Sequence, residues 1–249
     1  MTNTQPSRQP IVVHLLEMRN RLLQCIMVIF IIFLGLLAYS NELYIYISEP
    51  LKAHLPATSS MIATDVTSPF LTPFKLALVL SVFAAMPFIL YQIWAFVAPG
   101  LYQREKKIVV PLFLSSVALF YGGIAFAYHI VFPLIFTFFT SVSPEGVLLM
   151  TDIRSYLDFV LKLFFAFGLS FEIPIAIVIL SWMGLANPTQ LAKRRPYVFV
   201  VCFVLGMLLT PPDIISQTLL AIPMWLLFEL GIVFSRFIKS ESTEKMTAS

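Results

Sequence analysis

The sequence predicts an all-α, polytopic membrane protein with six transmembrane helices and both termini cytoplasmic. Three observations predict it. Apolar residues make up 59% of the 249 and charged residues 12%, about half the charged fraction of a soluble domain. Apolar runs of spanning length recur along the chain without the ten-residue alternation of a barrel, so helices must satisfy the backbone inside the bilayer. Lys and Arg fall on one side. Twelve of the sixteen lie in segments that six crossings place with the termini, from Arg8, Arg19 and Arg21 to Arg236, Lys239 and Lys245.

The elements follow in order. Residues 1–13 are a short polar cytoplasmic segment, and residues 14–238 form one membrane domain. An amphipathic lead, His14 to Leu22, enters the first span, Leu22 to Tyr39. That span is 18 residues long, beyond the ~7–15 of a signal-peptide core, and reads as an uncleaved anchor. The outer loop Asn41 to Phe74 begins with an interfacial helix, Leu43 to His54, interrupted by Pro50. Its remainder, with Pro56, Pro69 and Pro73, is expected to be irregular.

Spans two to four run from Leu76 to Ala98, Ile108 to Phe139 and Leu157 to Met183. The fifth, Tyr197 to Leu209, would be only about 20 Å of helix against a hydrocarbon core of ~30 Å. Thr210-Pro211-Pro212-Asp213 reverses the chain, and Pro223 interrupts the sixth span, Ile214 to Phe234. Such a short hairpin either thins the bilayer locally or is shielded by its neighbours. The tail, residues 239–249, is polar and cytoplasmic.

Composition also excludes classes. The net charge of +3 follows from the orientation rule and implies no nucleic acid. There is no Walker-type glycine loop, and His14, His54 and His129 are scattered, so no cofactor, metal site or enzymatic activity is expected. Cys25 and Cys202 lie inside spans and suggest no disulfide.

One acid stands out. Glu172 is the only charged residue between Leu163 and Met183. A carboxyl group at bilayer depth costs roughly 2–3 kcal/mol or more unless protonated, paired or hydrated, so a functional role is the default. Pro174 removes the donor for the Ser170 carbonyl and should kink the helix beside it. The alternative is an acid parked in a polar crevice to fix helix packing. At the inner edge, Glu17 and Arg21 are four apart and could form a local ion pair. Glu105 is the single acid in Arg104-Glu105-Lys106-Lys107, where it could simply balance its neighbours.

Seven blocks resemble TatC, the family of multispanning subunits of the twin-arginine protein translocase. They are His14 to Leu22, Met61 to Phe70, Tyr91 to Tyr102, Ala125 to Tyr128, Phe167 to Pro174, Lys193 to Tyr197 and Gly206 to Asp213, in the family's order. Met18 stands where the family often has Leu. The resemblance implies a receptor in the bacterial cytoplasmic (inner) membrane that binds twin-arginine signal peptides. With the single-span subunits TatA and TatB, in an oligomeric complex, it would export folded proteins using the proton-motive force. It also implies Glu105 as the main signal-peptide contact and Glu17 as the secondary one, with Arg19 and Phe96 among the binding residues. Glu172 would dock a partner helix, and Pro50 and Asp213 would be functional on the outer side, where helix capping is an alternative account of Asp213.

The chemistry suits that implication. Carboxylates bind guanidinium through paired, charge-assisted hydrogen bonds that ammonium cannot reproduce. Adjacent side chains of an extended peptide point to opposite sides, so two arginines need two acids on separate segments. The rival is an ion-coupled secondary transporter with Glu172 as its coupling site, although no inverted repeat accompanies it.

Overall fold

The computed structural model describes residues 9–54, 61–97, 106–142, 151–210 and 214–247. It is helical almost throughout. Helix α1 covers Gln9–Leu37, α2 Ser40–His54, α3 Ser68–Ala84 and α4 Met86–Val97. Helix α5 covers Lys106–Phe126, and a π-helical turn at Ala127–Val131 joins it to α6, Phe132–Val142. Helix α7 covers Ile153–Trp182, α8 Pro188–Lys193, α9 Arg195–Leu209 and α10 Ile214–Thr247. Among the described residues four apolar helices are long enough to cross a bilayer, α3 and α4 together make a fifth span bent by 44°, and α9 is a shorter apolar helix.

Alternating directions gather the start of α1, the end of α4 and the start of α9 at one end of the bundle. Lys193, Arg194 and Arg195 lie at the start of α9, so this is the basic end. The core is built on α7, which packs against α5, α10 and α3. Leu157, Val160, Leu163, Phe164 and Phe167 of α7 are buried against Phe120, Phe132, Ile135 and Leu220. Burying side chains of this size stabilises by about 1.5–3 kcal/mol each in water, but inside lipid the gain is close packing instead. Gly123 makes that packing possible, because a Cβ there would lie 2.6 Å from the Phe167 carbonyl oxygen. At the edge, α1 leaves Leu23, Met27, Phe30, Ile31 and Leu34 exposed, as a lipid-facing helix must.

Prolines behave differently from the sequence expectation. Helix α2 continues through Pro50 and α10 through Pro223, and Pro69 and Pro73 lie inside α3 rather than in an irregular loop, while α7 runs on past Pro174, where a kink rather than a break is expected. A proline in a helix removes one bond, and lateral contacts offset that loss. At Pro69, near the first turn of α3, the missing donor has no intrahelical acceptor anyway. In α2, the Tyr156 hydroxyl donates to the Ile47 carbonyl at 2.8 Å and ties the helix to α7. The real break is at Pro87. Its ring removes the donor for the Phe83 carbonyl, which accepts the Tyr121 hydroxyl at 2.9 Å instead, and the span bends there.

The α10 helix also carries on to Thr247, well into the stretch expected to be an unstructured tail. Gly184, at φ +72, closes α7, and the Leu185 and Ala186 amides donate to the Leu180 carbonyl at 2.9 and 3.0 Å.

Candidate functional site

At the basic end, α1 meets α4 through a polar cluster. Arg21 donates to one oxygen of Glu17 twice, from Nη2 at 2.7 Å and Nε at 3.1 Å. Its Nη1 donates to Gln92 Oε1 at 2.8 Å, and Gln92 Nε2 donates to Gln24 Oε1 at 2.8 Å. Gln92 is buried, so the cluster is anchored in the α1–α4 seam. The local ion pair read from the spacing is therefore real, and it uses only Oε1. Glu17 Oε2 has no hydrogen-bond partner among the described residues, and the side chain is 43% exposed. The result is a carboxylate held through one oxygen, with the other oxygen unpartnered among the described residues.

Phe96 lies one turn beyond Gln92 on the same face of α4 and is half-buried beside this cluster. Arg19 is exposed and takes no part in it, and among the described residues it reaches Asn20 Oδ1 at 3.4 Å. Glu105 lies outside the described residues, in the segment between α4 and α5. Glu17 is thus tied to α4 through Arg21 and Gln92, Phe96 lies on the α4 face that carries Gln92, and Arg19 takes no part in these bonds.

Sequence reasoning passed over two parts of this end. Gln92 looked like an ordinary polar residue in an apolar run. The ion pair of Arg195 with Glu229, at 2.7 Å, ties the start of α9 to α10. Glu229 Oε1 is buried with no partner among the described residues. A lone acid in the sixth span was the available signal for it.

Within the membrane, Glu172 faces α5. Ser116 donates a short hydrogen bond to Glu172 Oε2, and Oε1 is buried without a partner among the described residues. Close packing at Gly123 and Gly168 presses α5 onto α7 and holds Ser116 there. Opposite Pro174, a Cβ at Gly231 would come within 2.9 Å of the Pro174 Cα, so α10 closes on the other side. One oxygen of the acid is thus left without a donor among the described residues.

At the opposite end, Asp152 organises the outer loop. It caps α7 by accepting from the Ser155 amide at 3.0 Å and hydroxyl at 2.9 Å. Its other oxygen accepts from Thr64, from the amide at 3.2 Å and the hydroxyl at 2.9 Å. The Ile62 amide and carbonyl bond Thr151 and Ile153, pinning this loop to α7. The Ser155 amide, with the Thr64 donors, holds the Asp152 carboxyl down at about 2. Pro50 lies in α2 near this end, and Asp213 lies outside the described residues. No group of three or more His, Cys, Asp or Glu side chains capable of holding a metal occurs among the described residues.

Comparison with known proteins fits this geometry. The family model described as Sec-independent protein translocase protein (TatC) matches residues 13–223. A Sec-independent protein translocase protein TatC of Haemophilus influenzae is 53% identical over 244 residues, covering 98% of this chain and 95% of that protein. Its counterpart in Escherichia coli K12 is 58% identical over 229 residues, covering 92% and 89%. The crystal structure of a twin arginine translocase receptor, TatC, superposes with a TM-score of 0.82 at 35% identity, covering 90% of this chain and 98% of that one.

Proposed function

The chain belongs to the TatC family of Sec-independent protein translocase proteins, and from that membership we propose that it is the signal-peptide receptor of its translocase. The ion-coupled transporter reading gives way to the family match. Both termini and the basic end face the cytoplasm of a bacterial inner membrane, as the placement of Lys and Arg argues.

The observation that carries the receptor reading is the Glu17 carboxylate. Arg21 and Gln92 hold it through one oxygen and leave the other unpartnered among the described residues. An arginine of a signal peptide would take that oxygen. The consecutive arginine, pointing to the opposite side of an extended strand, would take Glu105 on the next segment. Glu105 is the main contact and Glu17 the secondary one. A photo-crosslinkable twin-arginine peptide tests this. With Glu105→Gln its crosslinking should collapse, and undiminished crosslinking rules the role out.

Glu172 supplies the second half of the reading. Its unpartnered oxygen would accept a polar donor from a single-span partner helix, TatA or TatB, that completes the export machinery. Unchanged partner crosslinking by Glu172→Ala would leave only a packing role. Pro50 and Asp213 would serve the same assembly on the outer side, and normal export by Asp213→Asn would reduce that residue to a cap.

A further inference from the structure

A groove of ≈ 750 Å³, lined by neither Glu17 nor Glu172, opens between α3, α7 and the α9–α10 hairpin. Its walls are apolar, with Val79, Val82, Phe165, Leu169, Leu205 and Leu208 among them. It exists because α9 is short: 15 residues make about 22 Å of helix, well under the ~30 Å hydrocarbon core. Toward the opposite end of the bundle the groove meets a ladder of charges on α7.

Arg154, Asp158 and Lys162 are spaced four apart and share one face of that helix. Arg154 is paired with Asp65 at 3.4 Å and Asp158 with Lys75 at 2.6 Å. Lys162, the rung deepest in the membrane, is exposed to the groove and has no anionic partner among the described residues. The charges lining the groove are thus Lys75, Lys162 and Asp158, an excess of one cation.

We propose that this groove holds an anionic phospholipid from the leaflet at the opposite end, its acyl chain along the apolar wall and its phosphate at Lys162. The depth favours this occupant. A partner helix would have to bring a carboxylate below the bilayer surface, at the usual cost of an intramembrane charge. A lipid phosphate already lies at the boundary that a lysine snorkelling from Lys162 reaches. The single excess cation favours phosphatidylglycerol over zwitterionic lipids, whose own ammonium competes for the phosphate. The volume lies within the ~300–1,000 Å³ of sites that enclose small amphiphiles. This inference is independent of the receptor reading, since none of its residues binds the signal peptide.

The test uses the full chain in nanodiscs of mixed phosphatidylcholine and phosphatidylglycerol, with retained lipid read by native mass spectrometry. Phosphatidylglycerol should be retained preferentially. Lys162→Gln should lower its retention about fivefold, the effect of one basic side chain at a lipid surface. Leu205→Trp, which fills the groove without touching the charge, should lower retention of both lipids. Equal retention of the two lipids by the unaltered chain, or unchanged phosphatidylglycerol retention by Lys162→Gln, overturns the proposal. So does a single-span peptide helix that crosslinks at position 205 and leaves no lipid there.

Discussion

Glu17 and Glu172 are the same side chain in two solvents, and the structure treats them differently. Glu17, at the basic end, is half-exposed and already holds a cation through one oxygen. Glu172, inside the bundle, has only the Ser116 hydroxyl and a buried oxygen without a partner among the described residues. At an aqueous edge an ion pair is weak, and its partners exchange easily. In the interior a charge is costly, but a neutral donor to an unsatisfied oxygen gains more than it would in water. The difference teaches that the first acid suits a charged ligand that comes and goes. The second suits a neutral group that stays.

The largest effect that would sharpen this contrast is charge removal at the edge. Glu105→Gln should weaken twin-arginine peptide binding by about ten- to a hundredfold, the range of a lost charge-assisted pair of ~1.5–3 kcal/mol. Glu17→Gln should cost about tenfold, because Arg21 has already claimed half of that carboxylate. At Glu172 the same change should do little, since an amide oxygen still accepts a hydrogen bond. Glu172→Ala should lower partner crosslinking severalfold. If Glu172→Gln is as damaging as Glu172→Ala, the acid acts through charge and the contrast breaks.

A smaller effect tests the anchoring. Gln92→Leu removes the acceptor for Arg21 Nη1 without touching either acid. Peptide affinity should fall two- to fivefold, or about 0.5–1 kcal/mol, and an unchanged Kd would show that Glu17 needs no support.

Much of this was legible in the chain. Charge or proline marks the ends of most spans, and Glu172 stood out in its apolar run, although Glu229, equally alone in the sixth span, was passed over. The Glu17–Arg21 pair is local, so its spacing sufficed. Ser116 and Gln92 were hidden because their partners lie 56 and 71 residues away, and no periodicity encodes such a meeting. The prolines misled for a physical reason. Their penalty assumes that the freed carbonyl goes unsatisfied, whereas hydroxyls such as Tyr121 are available from neighbouring helices. The π-helical turn at Ala127–Val131 leaves no compositional mark at all.

The smallest expected effect lies far from both acids and serves as a control. Asp152 is held at about 2 by the Ser155 amide and the Thr64 donors. A depressed carboxyl stabilises the folded form above its ordinary value near ~3.9, and that contribution fades as pH falls toward 2. The protection of the Thr64 amide against hydrogen exchange, relative to an unstructured amide at the same pH, should therefore fall between about pH 4 and 2. Asp152→Ala, which removes both acceptor oxygens, should expose this amide already at neutral pH, at a cost of about 1 kcal/mol typical of a lost helix cap. Signal-peptide binding should not change.

The central claim is that negative oxygens at the basic end distinguish guanidinium from ammonium. Binding of diarginine and dilysine leaders to the purified receptor complex, at matched ionic strength, tests it most directly. The account predicts at least roughly tenfold tighter capture of the diarginine leader, one 1.4 kcal/mol increment, with the difference lost in Glu105→Gln. Equal affinities for the two leaders would contradict it.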